Sequence, residues 1–347
     1  MTTYMIRRAL QMILVLLLST IFIYALLNLA NPDGPLSGLK LATGKQRMSD
    51  NDIANMARIL GIDKPFTLRY VTWLLGDDWL FGPWAKYKGT SKGLLRGDWG
   101  TSWALAKGQP VIMLFESRIW NTILLMGTST LLSVLIAVPV GVYSAVKQYS
   151  KLDYFVTSFT FFGIAMPVFW FGLLMIILFA YKFREWGLPY LPPGDVVSLR
   201  GPDAGSLLDR IKHLIMPTIA LSLLNMAGWT RYTRSAMLEV LRQDYVRTAR
   251  AKGLIERIVI TKHALRNGLI PLVTIIVFSI AGIFSGAIMT ETVFNWKGLG
   301  RLYYEGLMRD DWPLTMAYLF IQAVLVVVAS LTIEFLYTVV DPRIRYS

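Results

Sequence analysis

The chain has 347 residues, of which 54% are hydrophobic and 13% aromatic, and its formal net charge is +13. A soluble domain of this length would be less apolar, so the composition indicates a polytopic membrane protein. The chain has no cysteine, which excludes disulfides, thiolate metal sites and thiol catalysis, and its 2 histidines argue against a histidine-built metal site. Basic flanks of membrane spans explain the positive charge, so nucleic-acid binding is disfavoured.

Six hydrophobic stretches are long enough to cross a bilayer, which takes about 20 apolar residues. They cover, approximately, residues 9–30, 119–146, 154–181, 213–234, 269–291 and 313–339. The predicted fold class is therefore an all-α polytopic membrane protein with six transmembrane helices. Arg7 and Arg8 precede the first stretch, which is longer than the apolar core of a signal peptide, so we expect an uncleaved first helix.

The distribution of basic residues predicts the orientation, because short loops rich in Lys and Arg stay in the cytoplasm. The basic segments are 1–8, 147–153, 231–268 and 341–347. Both termini are then predicted to be cytoplasmic, and the long segment 31–118 is predicted to be extracytoplasmic.

The chain is predicted to have three regions. Residues 1–30 form the cytoplasmic N-terminal end and the first transmembrane helix, and residues 31–118 form an extracytoplasmic region with short amphipathic helices. Residues 119–347 form a core of five transmembrane helices with a cytoplasmic loop at 235–268. Within the second region, the tryptophan-rich stretch 76–92 has the turn signals of an insertion.

The most informative stretch is residues 244–271, which reads DYVRTARAKGLIERIVITKHALRNGLIP. It is basic and helix-prone, with a glycine that permits a sharp turn and a second amphipathic run. An ordinary basic loop would explain the charge but not the length or the Ala and Gly positions. We therefore predict a short helix that docks into a groove of a partner protein, where small residues such as Ala249 and Ala251 allow close approach. The predicted contact residues are Asp244, Arg247, Ala249, Arg250, Ala251, Lys252, Gly253 and Leu254.

This stretch resembles the cytoplasmic "EAA" loop of ABC-importer permeases, in the T-A-R-A-K-G form of the dipeptide/oligopeptide/nickel family. Arg247, Thr248 and Ala249 stand where the general motif has Glu-Ala-Ala, as in the peptide-permease branch. Five further stretches resemble that branch in the same order along the chain. They are ILGIDKP at 59–65, GDWGTSW at 97–103, GIAMPVFWFG at 163–172, LGRLYYEGLMRDDWP at 299–313 and DPRIR at 341–345.

The resemblance implies a type I ABC importer permease fold with a long extracytoplasmic loop after the first helix. It implies a pore-forming subunit of an ATP-driven importer for peptides or a related solute, in the inner or plasma membrane of a prokaryotic cell. In such a subunit, the 244–271 loop would couple ATPase closure to alternating access, with the contact residues named above as the ATPase-coupling residues. The implied partners are a second, homologous permease in a heterodimer, two ABC ATPase subunits and an extracytoplasmic solute-binding protein. The chain itself is expected to be no enzyme and to hold no cofactor, since ATP and magnesium would be bound by the ATPase partners.

Two further sets of residues are candidates for function. A proline inside the third span is predicted to kink the helix, and a kink there could line a translocation path. The predicted path residues are Met166, Pro167, Phe169 and Asn225. The glycines at 163 and 172 are better explained by close helix packing. Acidic residues predicted to face outward are candidates for docking the binding protein, although a solvated loop explains them equally well. They are Glu291, Asp310 and Asp311.

Two other functions compete with the importer subunit. A stand-alone, ion-coupled secondary transporter would need acidic residues near the bilayer midplane, and Glu334 alone does not meet that need. A membrane-embedded enzyme would need a metal-binding or paired-carboxylate motif, and the sequence offers neither.

Overall fold

The structure is a computed structural model that describes residues 2–30, 36, 49–59, 61–283 and 286–340. The described residues are helical, apart from loops and an isolated β-bridge between Thr101 and Pro110. The chain forms two compact units. Among the described residues, the N-terminal unit combines those up to Arg118 with Leu302–Val327, and the second unit holds Ile119–Arg301 and Val328–Val340.

In the first part of the chain, the described residues form three helices and two 3-10 turns. The helices are α1 (Thr2–Ala30), α2 (Asp50–Ile59) and α3 (Phe66–Leu75), and the 3-10 turns are Gly82–Tyr87 and Leu94–Arg96.

The rest of the chain forms ten helices within the described residues. They are α4 (Val111–Val146), α5 (Lys151–Ala165), α6 (Val168–Glu185, with a π-helical stretch at Ile176–Lys182), α7 (Leu207–Leu241), α8 (Asp244–Ala251), α9 (256–268, with a π-helical stretch at Val259–Ala264), α10 (Ile270–Gly282), α11 (Ile288–Val293), α12 (Leu299–Met308) and α13 (Trp312–Val340).

Four helices are long and apolar enough to cross a membrane: Leu10–Ala30 of α1, α4, α7 and Trp312–Ile333 of α13. A fifth span results if α5 and α6 are counted together, but they are bent by 100°. The fifth predicted span, 269–291, corresponds to a helix of only 13 residues, α10, followed by the separate short helix α11. The described residues therefore contain four or five candidate spans.

Helices α4 and α7 pack through small and hydroxylated side chains. The hydroxyl oxygens of Thr128 and Thr218 lie 3.1 Å apart, and the hydroxyl of Ser133 donates to the carbonyl of Ser222 at 3.3 Å. At Gly141, an added Cβ would lie 2.8 Å from a backbone oxygen of α7. Small residues allow such close approach in membrane helices, where apolar burial alone gives no preference for protein over lipid.

A buried ion pair joins three helix ends of the second unit. The guanidinium of Arg234 on α7 donates to both carboxylate oxygens of Asp153 on α5, at 2.7 and 3.0 Å. The hydroxyl of Ser144 near the end of α4 and the backbone N–H of Tyr149 also donate to this carboxylate. Because the side chain of Asp153 is only 4% exposed, its charge depends on these partners.

In the N-terminal unit, α3 packs against the second half of α1. The hydroxyls of Tyr70 and Thr20 lie 2.9 Å apart, and a guanidinium nitrogen of Arg69 donates to the side-chain oxygen of Asn28 at 3.3 Å. The ring of Tyr24 contacts both Tyr70 and Trp73. These contacts fix α3 beside the last turns of the first membrane helix.

The two ends of the predicted 76–92 insertion lie close together and form a narrow neck between Gly76 and Gly93. At Gly93, an added Cβ would lie 2.1 Å from the backbone nitrogen of Gly76, so only glycine fits there. The guanidinium of Arg96 closes the neck by donating to the carbonyl of Leu75 at 2.5 Å and to Asp78. The insertion is therefore a closed loop with a defined base.

Candidate functional site

Helix α8, which carries most of the predicted contact residues, packs against the rest of the chain with one apolar face. Val246 and Ala249, which are three residues apart on that face, are buried in a cluster with Ala145 of α4, Met237 of α7 and Val259 of α9. Burial of a side chain such as Val246 stabilises a fold by about 1.5–3 kcal/mol. Helix α8 is thus held as part of the α4–α7 packing.

A Schellman motif with Gly253 as its left-handed residue terminates helix α8. The N–H of Leu254 donates to the carbonyl of Ala249 at 3.4 Å, and the N–H of Gly253 donates to that of Arg250 at 2.9 Å. Gly253 has φ +77°, which is in the left-handed region that glycine adopts without steric cost. The predicted sharp turn is confirmed, and it directs the following residues away from the axis of α8.

An ion pair spans this turn. The guanidinium of Arg250 donates to both carboxylate oxygens of Glu256, at 2.7 and 3.1 Å. The hydrogen bond from Arg250 lowers the pKa of the Glu256 carboxyl, so the pair is intact at neutral pH and is lost only as the pH falls through this lowered pKa. The turn between α8 and α9 therefore has a defined geometry.

The opposite face of the loop is exposed and both basic and apolar. Arg247, Arg250 and Lys252 are exposed on α8 and at its end. Ile255, at the tip of the turn, is 63% exposed. We call residues 244–258 the loop tip. Its combination of cations and exposed aliphatic side chains suits a groove with an acidic rim and an apolar floor.

One predicted contact residue has a different role in the structure. Ala249 was expected to permit close approach of a partner, but it is only 5% exposed and packs inside its own chain. Ala251, two residues further along, is exposed and remains available for contact. Asp244, Gly253 and Leu254 are exposed as well.

Three of the predicted path residues, Met166, Pro167 and Phe169, lie at the break between α5 and α6, whereas Asn225 lies on α7. Pro167 is the N-cap of α6 and lies at the 100° bend between the two helices. The side chains of Pro167 and Phe169 are both exposed. Met166 and Asn225 are half-buried. An apolar cavity of about 280 Å³ between α4, α5 and α7 is lined by none of these four residues.

The glycines beside this break are packing positions. An added Cβ at Gly163 would lie 3.0 Å from the Cβ of Ala227 on α7. At Gly172 it would lie 3.0 Å from the ring of Phe294. The interpretation as close helix packing agrees with both distances.

Glu291 does not face outward, contrary to the docking hypothesis. Its side chain is fully buried, and it accepts hydrogen bonds from the N–H groups of Arg301 at 2.7 Å and Ala287 at 3.3 Å, and from the hydroxyl of Thr122 at 3.5 Å. At Gly298, an added Cβ would lie 2.4 Å from this carboxylate. The carboxylate lies at the start of α12, where free N–H groups favour an anion.

Asp311 is also buried, and its carboxylate is occupied by a loop of its own unit. It accepts hydrogen bonds from the hydroxyl of Ser102 at 2.5 Å and from the N–H groups of Trp103, Ala104 and Leu105 at 3.0, 3.1 and 2.9 Å. Successive N–H groups of this kind form an anion-binding nest. Asp311 therefore joins the 97–103 motif to the 299–313 motif and cannot present its carboxylate to a partner.

Replacing Asp311 by Asn is expected to destabilise the N-terminal unit by about 3 kcal/mol, because charge-assisted bonds are lost and an amide donor faces other donors. Asp310→Asn is the matched control. Asp310 is half-buried, and its φ of +55° is one that Asn tolerates. The measurement is the thermal unfolding of the purified protein and the protease sensitivity of residues 97–110. Equal stability of the two variants would contradict the structural role of Asp311.

Sequence reasoning missed the Asp153–Arg234 pair and the Thr122–Glu291 contact. Ser150 and Asp153 do show a local signal, because the Ser150 hydroxyl accepts from the Asp153 N–H as a helix N-cap. The tertiary partners carry no such signal, since they lie 81 and 169 positions away in the chain.

The described residues contain no group of three or more His, Asp or Glu side chains placed to hold a metal ion. The apolar, membrane-length helices define a multi-pass membrane protein, and the basic residues of the loop tip are exposed.

Comparison with known families identifies this class. Residues 137–346 match the family described as binding-protein-dependent transport system inner membrane component, and residues 1–81 match the N-terminal model of the same system. The chain belongs to this family of inner membrane transport components.

Curated relatives align along the whole chain. The oligopeptide transport system permease protein AppB of Bacillus subtilis is 40% identical over 346 residues and 100% of both chains. The dipeptide transport system permease protein DppB of Alkalihalophilus pseudofirmus is 34% identical over 100% of both chains. DppB of Escherichia coli is 32% identical over 90% of this chain and 91% of its own.

Among solved structures, the MetNI methionine ABC transporter in inward-facing conformations contains a similar chain. It is 17% identical, with a TM-score of 0.48, and the match covers 66% of this chain and 97% of that chain.

Proposed function

We propose that this protein is the transmembrane, pore-forming subunit of an ATP-driven ABC importer for peptides or a related solute. The observation that carries the proposal is the family membership along the full chain, together with the folded loop tip at 244–258. Relatives named as oligopeptide and dipeptide permeases favour peptides as the solute class. They also favour the importer over a stand-alone, ion-coupled secondary transporter.

The loop tip would couple ATPase closure to the membrane helices. Its inner face, with Val246 and Ala249, is packed onto α4 and α7, so a displacement of α8 must move those helices as well. A rigid turn at Gly253 keeps the outer face in one orientation. Movement of a docked ATPase would thereby be converted into a tilt of the spans, the two-state change that alternating access requires.

The partners follow from the same proposal. The chain would form a heterodimer with a second, homologous permease, with two ABC ATPase subunits at the loop tips and an extracytoplasmic solute-binding protein on the other face. ATP and magnesium would be bound by the ATPases alone. The solute path would pass the break at Pro167, with Met166, Phe169 and Asn225 nearby on α5, α6 and α7. We retain the type I permease fold with six spans as part of this proposal.

The proposal is tested by affinity purification of the tagged chain from its native membranes after mild cross-linking. We expect a second permease and P-loop ATPases to co-purify. Ile255→Glu at the loop tip is expected to lower ATPase recovery more than roughly tenfold, because a carboxylate would enter an apolar and acidic groove. Leu199→Glu, at an exposed leucine of the 186–206 loop, is the control. Recovery of the chain alone would favour the ion-coupled transporter. Equal ATPase recovery in both variants would show that the loop tip is not the ATPase contact.

The predicted topology has a separate test. A reporter fused after Ser347 is expected to be cytoplasmic, and one inserted near Thr90 is expected to be external, because basic loops stay inside. Thr90 is exposed in the closed 76–92 loop, so an insertion there leaves the helices intact. The opposite labelling pattern would overturn the orientation.

A further inference from the structure

The N-terminal unit contains a cavity of about 260 Å³ beside the last turns of α1. Five aromatic side chains contribute to its wall: Tyr24, Trp73, Trp99, Trp103 and Trp312. Several of them are held by one another, since the rings of Trp103 and Trp312 stack at 6.0 Å and those of Tyr24 and Trp73 lie 6.1 Å apart. The aromatic wall is therefore preformed.

Three basic side chains line the cavity, and two of them have partners. The guanidinium of Arg69 donates to the carbonyl of Lys64 at 2.6 Å and to the side-chain oxygen of Asn28 at 3.3 Å. The ammonium of Lys64 pairs with Asp77 at 2.8 Å, and Asp98 accepts hydrogen bonds from the Ser91 hydroxyl and from two backbone N–H groups. Both carboxylates are thus occupied inside the unit. The guanidinium of Arg58, at the end of α2, is exposed and has no hydrogen-bond or ion-pair partner among the described residues.

The cavity lies near one end of the membrane-length stretch of α1. That stretch, Leu10–Ala30, matches the thickness of the hydrocarbon core. Tyr24 in the cavity wall lies about 9 Å along the helix axis from its end at Ala30, so its ring would be inside the hydrocarbon layer. Arg58 belongs to a helix outside the spanning stretch, so the cavity would reach from the hydrocarbon layer toward the lipid headgroups. Tryptophan favours this boundary, where apolar and polar surroundings meet.

We propose that this cavity binds the headgroup of a bilayer phospholipid, with the phosphate paired to Arg58. Guanidinium binds phosphate with two parallel charge-assisted hydrogen bonds. The glycerol and the first acyl carbons would lie against the rings of Tyr24 and Trp73. The ligand chemistry is a phosphodiester on glycerol, which a soluble glycerophosphodiester shares. A bilayer lipid accounts for both the aromatic wall and the guanidinium of Arg58.

The site would fix the extracytoplasmic region to the membrane surface. The 76–92 insertion begins at Gly76, directly after α3, and α3 packs on α1 at the level of the cavity. A lipid held there would bridge α1, α2 and α3 and set the orientation of the insertion. This inference concerns a lipid site and does not depend on which solute the protein transports.

Native mass spectrometry of the purified complex tests the proposal. We expect one phospholipid to remain bound to the wild-type chain, and Arg58→Gln to lower the bound fraction by roughly tenfold, the factor expected for loss of one charge-assisted contact. Arg58→Lys is expected to keep most of it. Arg200→Gln removes an exposed guanidinium from another loop and serves as the control. Equal lipid retention in all four proteins would overturn the proposal.

Competition identifies the source of the ligand. Delipidated wild-type and Arg58→Gln proteins are mixed with phosphatidylethanolamine in mixed micelles, with glycerophosphoethanolamine or with a dipeptide. Arg58-dependent binding of the phospholipid alone supports the proposal. Arg58-dependent binding of glycerophosphoethanolamine at the same concentration would overturn the bilayer lipid as the source, and displacement of the lipid by the dipeptide would make the cavity a solute site instead.

Discussion

Replacing Gly253 by proline is expected to lower solute uptake more than roughly tenfold while the chain still inserts into the membrane. Gly253 has φ +77°, and the proline ring fixes φ near −65°. Proline also lacks the N–H that donates to the carbonyl of Arg250 at 2.9 Å. Both changes open the Schellman turn and displace Leu254 and Ile255, so the loop tip would no longer present one rigid surface. Solute uptake is measured in whole cells, and membrane insertion is measured by immunoblotting of the membrane fraction.

Two matched variants separate backbone geometry from a general loss of folding. Gly253→Asn keeps the left-handed conformation at small cost, so most of the uptake should remain. Gly201→Pro makes the same substitution at an exposed glycine with φ +120° in the loop before α7, and should leave uptake within about twofold of wild type. Normal uptake by Gly253→Pro would remove the loop tip from the coupling mechanism.

The helical class and the sharp turn of the loop were predictable from local sequence. Long apolar runs with basic flanks give membrane helices, and a glycine after a short basic helix gives a left-handed cap. The positions of Val246 and Ala249, three apart, also indicated an inner face of α8. That signal was available, but the small size of Ala249 was interpreted as room for a partner. Its burial depends on Ala145 and Met237, which local sequence does not bring near.

The acidic candidates show where sequence reasoning stops. Glu291 stands at the end of a predicted apolar span and Asp311 in a polar stretch, and acids at such positions are usually solvated. Their actual partners, Thr122 and Ser102, lie 169 and 209 positions away, so burial is set by tertiary packing. The break at Pro167 is similar. Proline predicts a kink, but the angle of 100° between α5 and α6 follows from the packing of both helices, and a sequence cannot supply it.

Replacing Asp153 by alanine is expected to destabilise the second unit by about 2–3 kcal/mol, less than for a fully buried ion pair, because the side chain of Arg234 is 27% exposed. Arg234 would lose a bidentate partner, and the hydroxyl of Ser144 would lose its acceptor. The pair ties the α4–α5 corner to α7, the same helices that carry the loop tip, so uptake should fall together with stability. The measurements are thermal unfolding of the purified complex and uptake by the same cells.

An exposed ion pair gives the comparison that isolates burial. Lys182 and Glu185 also approach to 2.8 Å, but their side chains are 48% and 62% exposed, so Glu185→Gln should change stability by no more than about 0.5 kcal/mol. The double variant Asp153→Ala with Arg234→Met removes both buried charges and should recover at least half of the lost stability, because no uncompensated ion remains. If the double variant is as unstable as Asp153→Ala alone, the loss comes from the hydrogen bonds of Ser144 and Tyr149 rather than from the stranded guanidinium. If Asp153→Ala is as stable as Glu185→Gln, the carboxylate does not hold the three helix ends together, and the link from the loop tip to the spans must depend on the apolar contacts of Val246 alone.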